Sequence, residues 1–405
     1  MSAAPVVTGI GVAAPNGLGT EEYWQATLEG RGGIAPISRF DPSGYPVRLA
    51  GEVPGFDAAA YIPSRLLPQT DHMTRLALYA ADAAMRDSGA DTAQLPEYGA
   101  GVSSASSMGG FEFGQRELQN LWSKGGRFVS AYQSFAWFYA VNTGQISIRH
   151  GLRGPGSALV TDQAGGLDAV GNARRQIRKG TALMLAGGVD GALCPLGLAG
   201  QLSSGRLSTE ERPDHAYLPF ATEARGHVPG EGGAYLVLED RDSARRRGAR
   251  VYGEIAGYAA TFDPAQETPG ADGLAHAIRR ALREAGTDPQ QVDAVFADAA
   301  GVPELDRTEA QAVTAVFGAR AVPVTAPKSL TGRLYAGGAA LDLAAALLSI
   351  RDGVLPHTAN VAAPAPGLGI DLVVGSPRTV TVDCALVLAR GHGGFNAAAV
   401  VRRAH

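Results

Sequence analysis

Residues 154–172 have the composition and spacing that covalent acyl-transfer chemistry needs, except at one position. The stretch reads GPGSALVTDQAGGLDAVGN: an apolar run, then small residues, then apolar residues at helical spacing. This pattern predicts a buried strand, a tight corner and a helix. Acyl-transfer enzymes place a nucleophile at such a corner, because the N–H groups at a helix N-terminus stabilise a thiolate or an oxyanion. Gln163 occupies the corner instead, and its neutral amide is neither a nucleophile nor a base.

The corner belongs to a long alternation of apolar strands and amphipathic helices. A strand is predicted at residues 5–15 and an alanine-rich helix at residues 75–87. An arginine-rich connector at residues 240–250 precedes a second half in which strands and helices follow in a similar order. We therefore predict an internally duplicated, layered α/β fold with an N-terminal half at 1–245 and a C-terminal half at 246–405.

Composition limits the classes of function. The 405 residues are 45% hydrophobic and carry a net charge of −4, with 35 basic and 39 acidic residues mixed along the chain. This balance does not favour binding to nucleic acid or to a membrane surface. We see no secretory leader and no apolar run long enough to span a membrane, and we expect a cytoplasmic protein. The two cysteines, Cys194 and Cys384, lie in apolar surroundings and are expected to be buried free thiols.

Several segments together resemble one family. They are the opening VVTGIGVAAPNG, the GPGSALVTD-x-A corner, LPFATEARGHVPGEGGAYLVLE, the stretch 298–309, and Lys328-Ser329. The chain is similar to the β-ketoacyl synthases over nearly its whole length. The resemblance implies a duplicated thiolase-like fold with five layers, α/β/α/β/α. It also implies a decarboxylative Claisen condensation, in which a cysteine holds the acyl group and two histidines stabilise the enolate and the thioester oxyanion.

The resemblance places all three reactive positions of the family on other residues. The cysteine falls on Gln163, the first histidine on Asp298 and the second histidine on Arg333, whereas the family lysine is retained as Lys328. Arginine does not release a proton at neutral pH, and an ionised Asp298 would repel an enolate. We therefore expect no condensing activity from this chain, and we expect Asp298 and Arg333 to form an ion pair. The family's glycine-rich gate loop falls on residues 391–396, where His392 is expected to be an ordinary loop residue.

The glutamine corner, the lost histidines and the segment Gln115-Arg116-Glu117-Leu118 resemble the chain length factors in particular. These are the ketosynthase-like beta subunits of bacterial type II polyketide synthases. The resemblance implies a heterodimer with a competent ketosynthase, a shared tunnel for the growing poly-β-keto chain, and malonyl units delivered by acyl carrier protein. It implies no cofactor, and no His, Cys and carboxylate cluster has the spacing of metal ligands.

The resemblance also assigns the tunnel and the interface. The side chains that set tunnel depth fall on Phe111, Gly114 and Leu118, whose spacing places them on one helical stripe. We expect Phe111 and Leu118 to be core residues. Since Gly114 has no side chain, the hypothesis is a long tunnel suited to a decaketide or longer. The aromatic run 135–139 is expected to be buried, with Phe135, Trp137 and Phe138 at the subunit interface.

Two other functions stay open at this point. Gln163 fills the space of a cysteine by hydrogen bonding, acts in malonyl decarboxylation, or mimics the carbonyl of an acyl-cysteine and holds the active conformation for the partner. The second case would make the chain a glutamine-type decarboxylase of malonyl-acyl-carrier protein that supplies acetyl primer, but such a protein is expected to keep the two histidines. The other alternative is a non-catalytic thiolase-fold scaffold without a role in polyketide synthesis, and co-purification with a ketosynthase would distinguish it.

Overall fold

The computed structural model describes residues 4–263 and 273–404. Residues 4–246 of the described chain contain eight strands and eight α-helices. The strands are β1 (Pro5–Ala14), β2 (Gly17–Leu18), β3 (Ile34–Pro36), β4 (Leu49–Gly51), β5 (Ala100–Ala105), β6 (Gly156–Leu159), β7 (Leu183–Asp190) and β8 (Gly232–Asp240). The helices are α1 (Thr20–Glu29), α2 (Ala58–Tyr61), α3 (His72–Ser88), α4 (Phe111–Lys124), α5 (Val141–His150), α6 (Gly165–Arg178), α7 (Pro195–Leu202) and α8 (Arg241–Arg246).

The second half is built from the same kinds of element. Its strands are β9 (Gly253–Phe262), β10 (Ala294–Phe296), β11 (Pro323–Thr325), β12 (Val354–Leu355), β13 (Asp371–Leu372), β14 (Arg378–Thr379), β15 (Cys384–Arg390) and β16 (Phe395–Arg402). Its helices within the described ranges are α9 (Gly273–Ala285), α10 (Pro303–Phe317) and α11 (Ala336–Asp352).

The sheet topology shows the duplication directly. In the first half the strand order is β1-β8-β7-β5-β6, and in the second half it is β9-β16-β15-β10-β11 with β13 added at the edge. In each half the first two pairs of neighbouring strands in this order are antiparallel, and the remaining pairs are parallel. The halves join where β1 pairs with β9, through Val6 with Glu254 and Val7 with Gly253. The predicted internal repeat is confirmed.

The helices complete five layers around these sheets. Helices α6 and α11 lie in the middle layer, where α11 packs on β7, β8 and β15 and α6 packs on β5, β7 and β16. Helices α3 and α5 cover the outer face of the first sheet, and α9 packs on the outer face of the second with α10 against it. Successive residues of a strand face opposite sides of its sheet. In β7, Met184 packs in the core that contains α6 and α11, whereas Leu185 packs in the core between the first sheet and α3.

Small residues allow α11 to lie between two sheets. Residues 336–350 of this helix are all buried, and alanine, glycine and leucine make up most of them. A Cβ at Gly337 would lie 2.0 Å from the carbonyl oxygen of Gly232 at the start of β8, so the backbones approach too closely for any side chain there. This helix therefore packs the second half of the chain against β7 and β8 of the first half.

The prediction of a buried strand before the corner is wrong. Strand β6 lies at the edge of the first sheet, its residues are exposed or half-buried, and Val160 beyond it is 42% exposed. Within one chain no strand pairs with the outer edge of β6 in the described ranges. Separately, none of the helices in these ranges is long and apolar enough to cross a membrane.

Candidate functional site

The corner after β6 is a strained turn held in place by glycines. Residues Asp162–Ala164 form one 3-10 turn, and Asp162 has a left-handed backbone with φ of 50°. Helix α6 then starts at Gly165, and a Cβ on Gly166 would lie 2.6 Å from the carbonyl oxygen of Ala336. The small residues of the sequence therefore allow α6 to begin against α11, as the strand–corner–helix pattern predicts.

The side chain of Gln163 packs against α11 and makes no polar contact with the described residues. Its side chain is completely buried, and a Cβ on Gly338 of α11 would lie 2.5 Å from Gln163 Nε2. Neither the Nε2 nor the Oε1 atom has a hydrogen-bond partner among the described residues. The expectation that Gln163 fills the cysteine position by hydrogen bonding is therefore wrong. The amide fills volume against a glycine, and an uncharged group without polar contacts offers no acid, base or nucleophile.

Asp298 and Arg333 form the buried ion pair that the sequence predicts. Arg333 Nη2 donates to both carboxylate oxygens of Asp298, at 3.0 and 2.9 Å, and Arg333 Nη1 donates to the Asp298 carbonyl at 3.1 Å. Both side chains are buried. Burial works against the charge of Arg333, but the Asp298 carboxylate raises its pKa above the usual value. Arg333 therefore stays charged at neutral pH, and its guanidinium and the Asp298 carboxylate satisfy each other's hydrogen bonds.

Two carboxylates of α10 hold the backbone that carries Asp298. Glu309 accepts the backbone N–H groups of Asp298 and Ala299 at 2.7 and 2.8 Å. Asp306 accepts those of Phe220 and Gly301 at 2.8 and 3.0 Å. Burial, followed by the charge of Asp298, raises the pKa of Glu309 to about 7, and burial raises the pKa of Asp306 to about 6. These residues, which fall in register with the family motif, support the loop and do not face a reacting atom.

The retained lysine, like Arg333, has a carboxylate partner inside the protein. Lys328 Nζ lies 2.5 Å from Asp342 Oδ2 and donates to the carbonyl of Ala297 at 2.6 Å. Both charged side chains are buried. Burial raises the pKa of Asp342 to about 6 in spite of the lysine. Lys328 thus connects α11 to the end of β10, next to the residue pair that replaces the two histidines.

A cavity of about 770 Å³ opens above the ion pair. Its wall includes Asp162, Asp298 and Arg333, three serine or arginine residues of the loop after α7, and the gate loop at residues 391–394. The gate loop is tied to the corner, because His392 donates its backbone N–H to Asp162 Oδ2 at 2.6 Å. The side chain of His392 is exposed, so it is a loop residue as expected. Gln163 is not among the residues that line this cavity.

His227 is a cavity residue that the sequence reasoning missed. It lies in the glycine-rich turn before β8, is buried, and lines the cavity. Burial, together with the positive charge of Arg333, lowers the pKa of His227 to about 3, so the imidazole is neutral at neutral pH. Other titratable residues, Arg225 and Glu231, lie in the same segment, so the residue type alone gave no signal for His227.

Neither cysteine offers a nucleophile. Cys194 and Cys384 are buried and free, as predicted. Burial raises the pKa of Cys194 to about 11 and that of Cys384 to about 12, so both stay protonated at neutral pH. Neither of them lines the cavity. The position that holds the reactive groups in condensing enzymes therefore contains a satisfied ion pair and an inert amide.

The predicted tunnel stripe lies on α4, but it is not core. Helix α4 buries Phe113 and Glu117 on its inner face. On the other side Phe111 and Gly114 are half-buried and Leu118 is 44% exposed. The expectation that Phe111 and Leu118 are core residues is therefore wrong for the single chain. The reason is that the segment of Trp137 packs beside Gly114 but leaves Phe111 half-buried and Leu118 exposed.

The aromatic run is likewise less buried than expected. Phe135 is half-buried, Trp137 and Phe138 are exposed, and Tyr139 beside them is exposed as well. Only Ala136 in this segment is buried. The expectation of burial does not hold within one chain, because apolar side chains for a partner surface and for a core look alike in sequence. Their assignment to a subunit interface stays a prediction.

The five-layered fold, the strained corner and the glycine-rich gate are those expected of a condensing-enzyme framework. The family model for the β-ketoacyl synthase N-terminal domain matches residues 4–244, and that for the C-terminal domain matches residues 252–362. The chain belongs to the β-ketoacyl synthase family, as a ketosynthase beta subunit, or chain length factor, of the type II polyketide synthases.

Individual relatives support this placement. The chain is 64% identical over 400 residues to the tetracenomycin polyketide synthase ketoacyl synthase beta subunit of Streptomyces glaucescens, covering 98% of each protein. The solved ishigamide ketosynthase/chain length factor superposes with a TM-score of 0.92 at 29% identity, covering both chains completely. A second solved structure is described as a type II polyketide synthase acyl-carrier protein in complex with its ketosynthase bound to the hexaketide. One of its chains superposes with a TM-score of 0.90 at 28% identity, again over both complete chains.

Proposed function

We propose that this chain is a non-catalytic subunit that sets product length in a type II polyketide synthase. The observation that carries the proposal is the buried Asp298–Arg333 ion pair at the two histidine positions of the family. A satisfied pair of fixed charges provides neither a proton donor nor a neutral imidazole for an enolate. With Gln163 at the cysteine position, the chain has no group to hold or activate an acyl chain. The condensation must then take place on a partner.

The proposed partner is a ketosynthase, which covers the exposed apolar surface beside β6. In the described ranges the outer edge of β6 is unpaired, and α5, which packs on β6, carries Ile148, which is 79% exposed. Trp137 and Phe138, just before α5 in the chain, are also exposed. Exposed aromatic residues and an unpaired strand edge are typical of a surface that a partner buries. One similar structure is a ketosynthase/chain length factor, which supports this assignment.

The proposed tunnel runs along α4 into that interface. Phe111, Gly114 and Leu118 lie on its exposed side, where a growing chain would find apolar walls. A Cβ at Gly114 would meet one atom outside its own helix within 4 Å, so the glycine leaves open space at the middle of the stripe. This supports the proposal of a long tunnel that accepts a decaketide or longer. Acyl carrier protein delivers the malonyl units to the ketosynthase, as the complex of a similar ketosynthase with its carrier protein suggests.

Reconstitution tests the proposal. The ketosynthase and malonyl-loaded carrier protein are incubated with and without this chain, and products are identified by mass spectrometry. We expect products of defined length only when both subunits are present, and the same length with Gln163→Ala. Release of CO₂ from malonyl-carrier protein by this chain alone, abolished by Gln163→Ala, would instead establish the decarboxylase function. A chain that does not bind the ketosynthase at all would be a scaffold of another kind.

A further inference from the structure

We propose that Trp137 and Gly114 form a size-matched pair and that the indole of Trp137 is a second determinant of tunnel depth. This inference rests on the proposed function. It adds a residue outside α4 to the residues that set product length, and it explains why the open position in the stripe is at residue 114.

The first observation is the neighbourhood of Gly114. A Cβ built on Gly114 would lie 3.5 Å from the Cβ of Trp137, and no other atom outside the helix lies within 4 Å among the described residues. That separation is ordinary van der Waals contact. Alanine therefore fits at residue 114 without movement. A longer side chain that extends toward residue 137 would meet the Trp137 side chain, so Trp137 bounds one side of the space that glycine leaves open.

The second observation is that the backbone of Trp137 is fixed against α4. The N–H of Gly110, just before the helix, donates to the carbonyl of Trp137 at 2.9 Å. Gly109 has a left-handed φ of 69°, and a Cβ there would lie 2.6 Å from the same carbonyl oxygen. The approach is so close that only glycine is accommodated. The main chain of residue 137 is held at a set distance from the helix, and the volume of its side chain determines the free space.

A third contact anchors the chain that leads to this segment. Glu117, buried on the inner face of α4, accepts the N–H of Ser130 at 2.8 Å. The neighbouring Arg116 Nε donates to the same carboxylate at 3.1 Å. The stretch between residues 130 and 137 is thus tied to α4 near both of its ends. A change of side chain at residue 137 is therefore not expected to move the backbone.

The indole itself is accessible. Trp137 is 45% exposed, and its ring contacts that of Phe138 edge to face with 5.8 Å between centroids. Because it is not part of a closed core, a smaller residue at this position leaves no buried cavity in the chain. Its replacement should therefore change the shape of the tunnel wall more than the stability of the fold.

The pair predicts a specific non-additive result. Gly114→Leu should shorten the main product, because the leucine occupies tunnel space that Trp137 prevents it from leaving. Adding Trp137→Ala should restore the original length, because the leucine turns into the vacated volume. We expect the fraction of full-length product to fall about tenfold in the single Gly114→Leu variant and to recover to within about twofold in the double variant.

The test uses the heterodimer of this chain with its ketosynthase, supplied with malonyl-loaded carrier protein. Product lengths are measured by mass spectrometry for both single variants and the double variant, and subunit assembly is checked by size-exclusion chromatography. Trp137→Phe, which keeps an aromatic ring, replaces Trp137→Ala if the latter weakens assembly. Tyr98→Ala, at an aromatic residue outside α4 that is 69% exposed, is the control and should restore nothing.

The outcomes separate this inference from the proposed function. If Gly114→Leu shortens the product and no Trp137 variant restores it, the size-matched pair is refuted while the length-setting function stands. If neither Gly114→Leu nor the Trp137 variants change product length in an assembled heterodimer, the proposed function itself fails. Restoration of length by Trp137 variants, and not by the Tyr98 control, is the result that a merely structural role cannot produce.

Discussion

Breaking the Asp298–Arg333 pair from one side should destabilise the chain strongly. In Asp298→Asn the two donor contacts of Arg333 Nη2, at 3.0 and 2.9 Å, lose their charged acceptor, while the guanidinium stays buried. Removing one partner of a buried ion pair leaves an uncompensated charge and costs about 3–5 kcal/mol. The contacts of Arg333 to the carbonyl oxygens of Asp298 and Arg390 remain and do not supply a negative charge.

The double variant Asp298→Asn/Arg333→Met isolates the pair. Since it removes the unpaired charge as well, it should recover a large part of the loss, and the coupling energy should exceed about 2 kcal/mol. The assay is urea unfolding of the full chain followed by far-ultraviolet circular dichroism. The control is the exposed pair Arg153–Glu97, for which Glu97→Gln should cost less than about 1 kcal/mol. A loss for Asp298→Asn that equals the control, or an additive double variant, would refute this reasoning.

The remaining predictions concern protonation, packing and thiol chemistry. Because the pKa of Glu309 is raised to about 7, its contribution to stability is present at low pH and is lost as pH rises through 7. In the unchanged chain Glu309 makes the free energy of unfolding fall between about pH 5 and 7, by up to about 1.4 kcal/mol per pH unit. Glu309→Gln should remove this part of the fall, as measured by urea unfolding at each pH. Gly338→Ala should lower the melting temperature, because its Cβ would lie 2.5 Å from Gln163 Nε2. Adding Gln163→Ala should restore the melting temperature. An unchanged melting temperature in Gly338→Ala would contradict this packing. Cys194 and Cys384 should react with a thiol reagent only on unfolding, and rapid labelling of the native chain would show that they are accessible.

The sequence was sufficient to predict the framework of the site. Alternating strands and helices give the duplicated layers, and the small residues after Asp162 give the corner. Opposite charges at residues 298 and 333 predict an ion pair, and the structure has it. Each of these features depends on local patterns or on a motif that aligns residue by residue.

The sequence was insufficient where a feature depends on what covers a surface. Strand β6 and the aromatic residues from Phe135 to Tyr139 have the composition of a core, yet they lie at an edge of the single chain. The side-chain contacts of Gln163 could not be inferred either, because they depend on how closely Gly338 of α11 approaches. His227 was missed since nothing in a glycine-rich turn indicates which side chain lines a cavity.

The central claim is that this chain sets product length and does no condensing chemistry. The most direct measurement is the product profile of the reconstituted heterodimer with Leu118→Phe, which adds bulk on the tunnel stripe of α4. Gln119→Phe adds the same bulk one residue away, on an exposed position off the stripe, and is the matched control. The account predicts shorter products at an unchanged rate of malonyl consumption for Leu118→Phe, and the original products for the control. Products of unchanged length from Leu118→Phe, or equal shortening by the control, would contradict it.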